Sequence, residues 1–197
     1  FRAQYADDRV RAITLWQPYQ GYDVKKYAES IVPMMDQEVR ENLLKSLKKQ
    51  NIAFELSTKV TTLTKQKNKA TLTLKPASEE SLKSLTVDVV LVAIGRTPHT
   101  QSLGLKEVGV KTTEKGFIEV SKSYQTSVPS IYAIGDVIPG PMLAHKAEEE
   151  GVAVAEIIAG QKGHVNYEVI PSVIYTQPEV ASVGLTEEEA RKKGIPL

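Results

Sequence analysis

The chain has 197 residues, 41% of them hydrophobic and 25% charged, a soluble globular composition with room for one large or two small domains. Its net charge of +1 gives no electrostatic case for nucleic acid or an acidic membrane surface, and no apolar run reaches the ~18 residues of a membrane-spanning helix. There is no cysteine, so disulfides and thiol catalysis by this chain are excluded, and its three histidines are too scattered for a metal cluster.

Residues 1–26 form an unassigned leader. Val10, Ile13, Leu15 and Trp16 make a short apolar element, and the stretch from Gln17 to Tyr22, with Pro18 and Gly21, reads as a turn. Asp7 and Asp8 among the arginines fit neither a signal nor a transit peptide. Asp36 is placed to cap a helix from Gln37 to Gln50, whose buried stripe is Val39, Leu43, Leu44 and Leu47. Glu41 and Lys45 are an ordered i, i+4 pair, lysines gather at the helix end, and Asn51 takes the place of a terminating glycine. The segments 54–65 and 70–75 then read as two strands joined by a polar turn. In the second, Ala70, Leu72 and Leu74 face one way and Thr71 and Thr73 the other. After a polar loop at 76–84, residues 87–94 are almost wholly apolar and read as a strand buried on both faces, ending at Gly95. A glycine closing such a strand has a reason to lack a side chain. Gly104 and Gly109 do not make a P-loop, since no Gly-Lys-Ser/Thr follows.

The stretch from Thr126 to Gly151 combines three features. Residues 128–135 read as a second buried strand, and Asp136 follows at its carboxyl end, where open α/β sheets bind ligands. Pro139, Gly140 and Pro141 turn the chain. A helix from about Leu143 to Ala159 follows, with Ala147, Gly151, Val154, Ala155 and Ile158 on its expected inner face and Gly160 as its terminator. Its first backbone N–H groups, at Met142 to His145, lack intrahelical acceptors and suit an electron-rich group. A carboxylate for sugar or polyol hydroxyls thus stands beside a helix tip. Further on, Thr186 and Glu189 form a capping box for a helix ending near Gly194, and Ile195 would open another strand.

The run Ile131-Tyr132-Ala133-Ile134-Gly135-Asp136, with Gly140-Pro141-Met142-Leu143-Ala144-His145-Lys146-Ala147-Glu148 after it, resembles the second flavin-contacting segment of the pyridine nucleotide-disulfide oxidoreductases. The resemblance runs from about Tyr27 to Leu197 and is nearest the dihydrolipoamide dehydrogenase (E3) branch, which Met142 to His145 and Tyr175-Thr176-Gln177-Pro178-Glu179 favour. It implies that Asp136 binds the ribityl part of FAD and that the backbone of Met142, Leu143, Ala144 and His145 covers the flavin. It also implies that Gly95 and Val60 line the nicotinamide cofactor, NAD; a strand valine is as readily a core residue. Arg96 is expected to pair with a carboxylate between domains.

The implied fold is α/β. Residues 27–97 would be the C-terminal part of a Rossmann-like NAD domain, 98–165 a central FAD-contacting segment, and 166–197 the start of an α+β dimerisation domain. The family's glycine-rich loop, cysteine pair and catalytic histidine segment find no counterpart in these residues, and no G-x-G occurs. Lys26 stands where the family usually has an acid holding the adenosine ribose, which bears on NAD against NADP selectivity. The resemblance implies a fragment of an enzyme that oxidises dihydrolipoamide with FAD and NAD+ in 2-oxo acid dehydrogenase complexes. The implied partners are a second copy and the lipoyl domain of E2, with no nucleic acid or membrane, in a bacterial cytoplasm or mitochondrial matrix. By itself the chain would supply no catalytic acid, base or nucleophile, and no metal site. Two other readings stand beside this one: a sister flavin-dependent disulfide reductase of the glutathione or mercuric type, and a non-catalytic interaction module binding a partner through residues 1–30.

Overall fold

The computed structural model describes residues 29–93 and 95–197; the apolar element at 10–16, the turn at 17–22 and Lys26 lie outside the described residues. In chain order the elements are α1 (Gln37–Lys49), β1 (Thr58–Gln66), β2 (Lys69–Pro76), β3 (Lys83–Val87), a 3-10 turn (Gly135–Val137), α2 (Ala144–Ile158), a second 3-10 turn (Tyr167–Val169), β4 (Ser172–Ile174), β5 (Val180–Ser182) and α3 (Glu187–Lys192). They belong to two compact units. One joins the chain up to Gly95 with Pro171–Leu197; the other is Arg96–Ile170.

In the first unit, α1 starts where the side chain of Asp36 accepts the Glu38 N–H at 3.0 Å. It stops where Asn51 takes a left-handed φ of 63°, the conformation a terminating glycine would otherwise supply. Leu43 is buried with Met35 and Val180, and Val39, Leu47 and Ile174 pack around them. Leu44 stands at the margin of that stripe, half-buried. Glu41 is held by Gln37, which donates to it at 2.9 Å, rather than by Lys45. The second carboxylate oxygen of Asp36 accepts the Glu187 N–H at 3.0 Å, so one side chain serves the starts of both α1 and α3. These bonds, that from Glu187 foremost and that from Glu38 next, hold the Asp36 carboxyl below its ordinary value of 3.8. Arg40 reaches Glu188 at 3.1 Å across the same junction. The expected capping box is present at α3: Thr186 accepts the Glu189 N–H, and Glu189 accepts that of Thr186. β4 and β5 pair antiparallel, with a cis Gln177–Pro178 peptide between them.

β1, β2 and β3 form an antiparallel sheet with β2 in the middle. Gln66 faces Lys69, leaving Lys67 and Asn68 as a two-residue hairpin turn, with Lys67 at a positive φ of 48°. The alternation in β2 sets its faces as expected. Leu72 and Leu74 are buried with Val87, and Val60, Ala70, Leu85 and Val90 close over them. On the other face, threonine hydroxyls pair across the strands, Thr62 with Thr73 and Thr71 with Thr86.

Two strand expectations are corrected here. β1 begins at Thr58, not Phe54, and beyond Val87 the residues 88–93 are not a strand. The pairing strand is instead β3, at 83–87, at the end of what the sequence presents as a polar loop. The register explains why. Val87 faces Ala70, the second residue of β2, so beyond Val87 only Lys69 remains before the hairpin end and the chain runs past it. Val89, Leu91 and Val92 are accordingly 61%, 58% and 59% exposed. Both sheets are antiparallel; among the described residues no parallel pairing occurs.

The second unit is built on irregular backbone around Val110, Ile118, Tyr124, Ala133, Ile138, Ala153 and Val165. The strand expected at 128–135 is reduced to a single bridge between Gln125 and Tyr132. Ala133 donates to the Tyr124 carbonyl at 3.0 Å and Thr126 to that of Ile131 at 2.9 Å, so pairing runs along one edge only. Gly135, at φ +73°, then turns the chain into its 3-10 turn.

α2 forms where expected and ends at Gly160, with φ +78°. Its buried face is rotated by about one position from the expected one. The inward residues are Lys146, Glu150 and Ala153, flanked by Val154 and Ile157, at spacings of three and four; Ala155 and Ile158 are exposed. The cause is an ion pair placed inside the unit.

Candidate functional site

Gly135, Asp136, the Pro139-Gly140-Pro141 loop and the first turn of α2 all lie in the second unit, and the fold brings them together around one buried pair. Lys146 and Glu150 have side chains 0% exposed, with Lys146 Nζ 2.9 Å from Glu150 Oε1 and 3.0 Å from Oε2. Each also grips backbone. The Gly135 N–H donates to Glu150 Oε2 at 2.7 Å, and Lys146 Nζ donates to the Gly135 carbonyl at 3.2 Å. Tyr167 donates its hydroxyl to Glu150 Oε1 at 2.7 Å and meets the Tyr124 hydroxyl at 2.9 Å. Burial, then the hydrogen bonds to Tyr124 and Glu150, push the Tyr167 phenol well above its usual value of 10.0. A charge pair taken fully from water survives when its remaining valences are met, and here they are met by the tyrosine and by Gly135.

The space around Gly135 is close. A Cβ there would stand 3.2 Å from that of Ala147, and one on Gly140 would stand 3.4 Å from Lys146 Nζ. The two glycines therefore let the turn lie on the start of α2.

Outside this buried set, Asp136 is 46% exposed. Its carboxylate pairs with Arg96 at 3.2 Å, and Arg96, 62% exposed, also donates to the Met142 carbonyl. The carboxylate expected to partner Arg96 is thus Asp136 itself, within one unit. Met142 is buried, Leu143 and His145 are half-buried and Ala144 is exposed. Leu143 occupies the N-cap in an extended conformation and makes no capping hydrogen bond with its side chain. The donor set fits the ribityl and ring edge of a flavin: an accessible carboxylate for hydroxyls, a helix tip uncapped by its N-cap residue, and glycines where a side chain would intrude.

Val60 and Gly95 belong to the other unit. Val60 packs against the β-sheet core, and Gly95 has a φ of 118°, which a side chain would strain. Reading the residues one by one missed Lys146, Glu150 and Tyr167. The signal was available: Ala153, Val154 and Ile157, carried back by three and four residues, fall on Glu150 and Lys146. Among the described residues no group of histidines and acids is arranged to hold a metal ion, and no helix is long and apolar enough to cross a membrane.

The chain is 51% identical over 172 residues to dihydrolipoyl dehydrogenase 1, mitochondrial, of Arabidopsis thaliana, covering 87% of this chain and 34% of that protein. It is 48% identical over 162 residues to the mitochondrial dihydrolipoyl dehydrogenase of Bos taurus, covering 82% of this chain and 32% of the other. The chain thus spans about a third of the length of the curated relatives it matches. Among solved structures, the HOCl-induced flavoprotein disulfide reductase RclA of Escherichia coli matches with a TM-score of 0.74 and 26% identity, over 85% of this chain and 38% of that one. A family profile described as pyridine nucleotide-disulphide oxidoreductase, dimerisation domain, matches residues 170–197. The profile described as pyridine nucleotide-disulphide oxidoreductase matches residues 20–151, which include the Gly135–Asp136 turn and the tip of α2, and the chain belongs to that family.

Proposed function

We propose that this chain is the flavin-facing portion of a dihydrolipoyl dehydrogenase. The observation that carries the proposal is the exposed Asp136 carboxylate on a glycine turn beside the tip of α2. Asp136 would accept hydrogen bonds from the ribityl hydroxyls of FAD, and the backbone of Met142 to His145 would face the electron-rich edge of its ring. Bound there, the flavin supplies two-electron transfer between a dithiol and NAD+. The chain's own residues hold and orient it, and the positive end of the α2 dipole favours negative charge on the ring. On this reading Gly95 and Val60 line the NAD side, and residues 166–197 open the dimer-forming domain of a homodimer. The lipoyl domain of a 2-oxo acid dehydrogenase complex would be the reductant's carrier. The Arabidopsis thaliana and Bos taurus relatives carry mitochondrial names, which favours the mitochondrial matrix. Identity near 50% to dihydrolipoyl dehydrogenases, against 26% to RclA, favours the lipoamide branch over a sister disulfide reductase.

The test uses the complete gene product. It is expected to purify with bound FAD and to form NADH from dihydrolipoamide and NAD+. Asp136→Ala is expected to weaken FAD retention by about 1.5–3 kcal/mol, the worth of a charged hydrogen bond. Absence of flavin, or turnover of glutathione disulfide in place of lipoamide, would reject the assignment. The 197-residue chain assayed alone is expected to give no lipoamide turnover, because it holds no cysteine to take electrons from a dithiol.

A further inference from the structure

We infer that the buried Lys146–Glu150 pair is a positioning device that locks the Gly135 turn and so sets Asp136 and the tip of α2 for their ligand; this rests on the flavin reading above. The geometry is unusual for an i, i+4 pair on a helix. Such pairs ordinarily lie in solvent and contribute a few tenths of a kcal/mol. Here both side chains are fully buried, and each also bonds the backbone of one residue of the turn that carries Asp136.

Glu150 takes the N–H of the peptide joining Ile134 to Gly135, at 2.7 Å. Lys146 donates to the carbonyl of the next peptide, the one joining Gly135 to Asp136, at 3.2 Å. Two consecutive peptide planes are therefore held by two side chains from a single helix. Holding both planes fixes the backbone angles of Gly135, whose φ of +73° is reached without strain by glycine alone. It also fixes the direction in which Asp136 leaves the turn. Because both side chains start from the first two turns of α2, the helix tip and the aspartate become one rigid body. Tyr167 closes the set by donating to Glu150 Oε1, and Gly140 lies over the lysine where a side chain would press on it. Lys146 and Glu150 are sealed from solvent, so they act through Asp136 and the helix tip. Preorganised groups of this kind remove a reorganisation cost from ligand binding.

Three variants of the complete gene product separate this role from plain packing. Lys146→Met with Glu150→Leu removes both charges together and is expected to fold, since apolar replacement of a buried pair is often neutral. Lys146→Met with Glu150→Gln keeps an acceptor for the Gly135 N–H. Tyr167→Phe leaves both grips in place. In flavin-free protein, amide exchange at Gly135 is expected to quicken by roughly tenfold or more in the Met/Leu variant, with Ala153 unchanged; the Met/Gln and Phe variants should stay near wild type. FAD is expected to dissociate roughly ten to a hundred times faster from the Met/Leu variant, with partial rescue in Met/Gln. Unaltered Gly135 exchange in the Met/Leu variant overturns the clamp. Quickened exchange with wild-type FAD retention overturns its role in holding the ligand. A wild-type protein that holds no flavin removes the flavin reading itself, and the Gly135 exchange then decides alone whether the pair holds the turn.

Discussion

Replacing Lys146 by methionine isolates the energetic weight of the buried pair. The substitution keeps most of the side-chain volume and removes the charge. It deletes the contacts to Glu150 at 2.9 and 3.0 Å and the bond to the Gly135 carbonyl at 3.2 Å. Breaking a fully buried pair by removing one partner costs about 3–5 kcal/mol, because the other charge is left without its counterion. Glu150 still accepts from the Gly135 N–H and the Tyr167 hydroxyl, both at 2.7 Å, which places the cost near the lower end, about 3 kcal/mol. For a chain of this size that is a fall of about 6–12 °C in the unfolding midpoint. Glu150→Leu alone, which strands the lysine, is expected to cost at least as much. The double variant is expected within about 1 kcal/mol of wild type, so the two changes should be far from additive. Thermal and urea unfolding of the four proteins, followed by circular dichroism, measures the cycle. If the single changes add, or if Lys146→Met lies within about 0.5 kcal/mol of wild type, the two groups are not the isolated buried pair described here.

Leu72→Ala opens a cavity at the centre of the three-stranded sheet, where the leucine is 1% exposed, and is expected to cost about 2–5 kcal/mol in urea unfolding. Thr186→Ala removes one half of the α3 capping box and is expected to cost about 1 kcal/mol, read as faster amide exchange at Glu189. The raised Tyr167 phenol gives stability that is whole below the unfolded value of 10.0 and is lost as pH rises above it; the fall in unfolding midpoint above pH 10 should be shallower in Tyr167→Phe. The lowered Asp36 carboxyl acts in the opposite direction. Its contribution is in place above 3.8 and disappears as pH falls through the lowered folded value, so acid should release the start of α3 less abruptly in Asp36→Asn.

The parts of the fold that were legible are those decided by neighbours in sequence. Asp36, the 3.6-residue stripe of α1 and the left-handed Asn51 mark both ends of one helix, and the alternation in β2 marks its faces. The capping box at Thr186 is local in the same sense. What failed depends on partners distant along the chain. An apolar run such as 87–93 reads as a buried strand only on the assumption that other strands flank it, and β2 has only Lys69 left to offer beyond Val87. The face of α2 was misread because hydrophobicity ranks lysine and glutamate as outward residues. Their burial depends on Tyr167 and Gly135 arriving at the same place from 17 residues after Glu150 and 15 before it. The turn that presents Asp136 was legible because a glycine–aspartate step followed by a proline–glycine loop breaks the chain whatever packs around it. The partnership of Asp136 with Arg96, 40 residues earlier, was legible only as some carboxylate or other.

The Arg96 guanidinium lying across Asp136 and the Met142 carbonyl has a practical implication. An ion pair this open to solvent is worth at most about 1 kcal/mol, and mobile ions within a Debye length of ~8 Å at physiological ionic strength weaken it further. The contact between the guanidinium and Asp136 is therefore the part of the site that ionic strength reaches. Added salt should loosen it while leaving the sealed lysine–glutamate pair almost untouched.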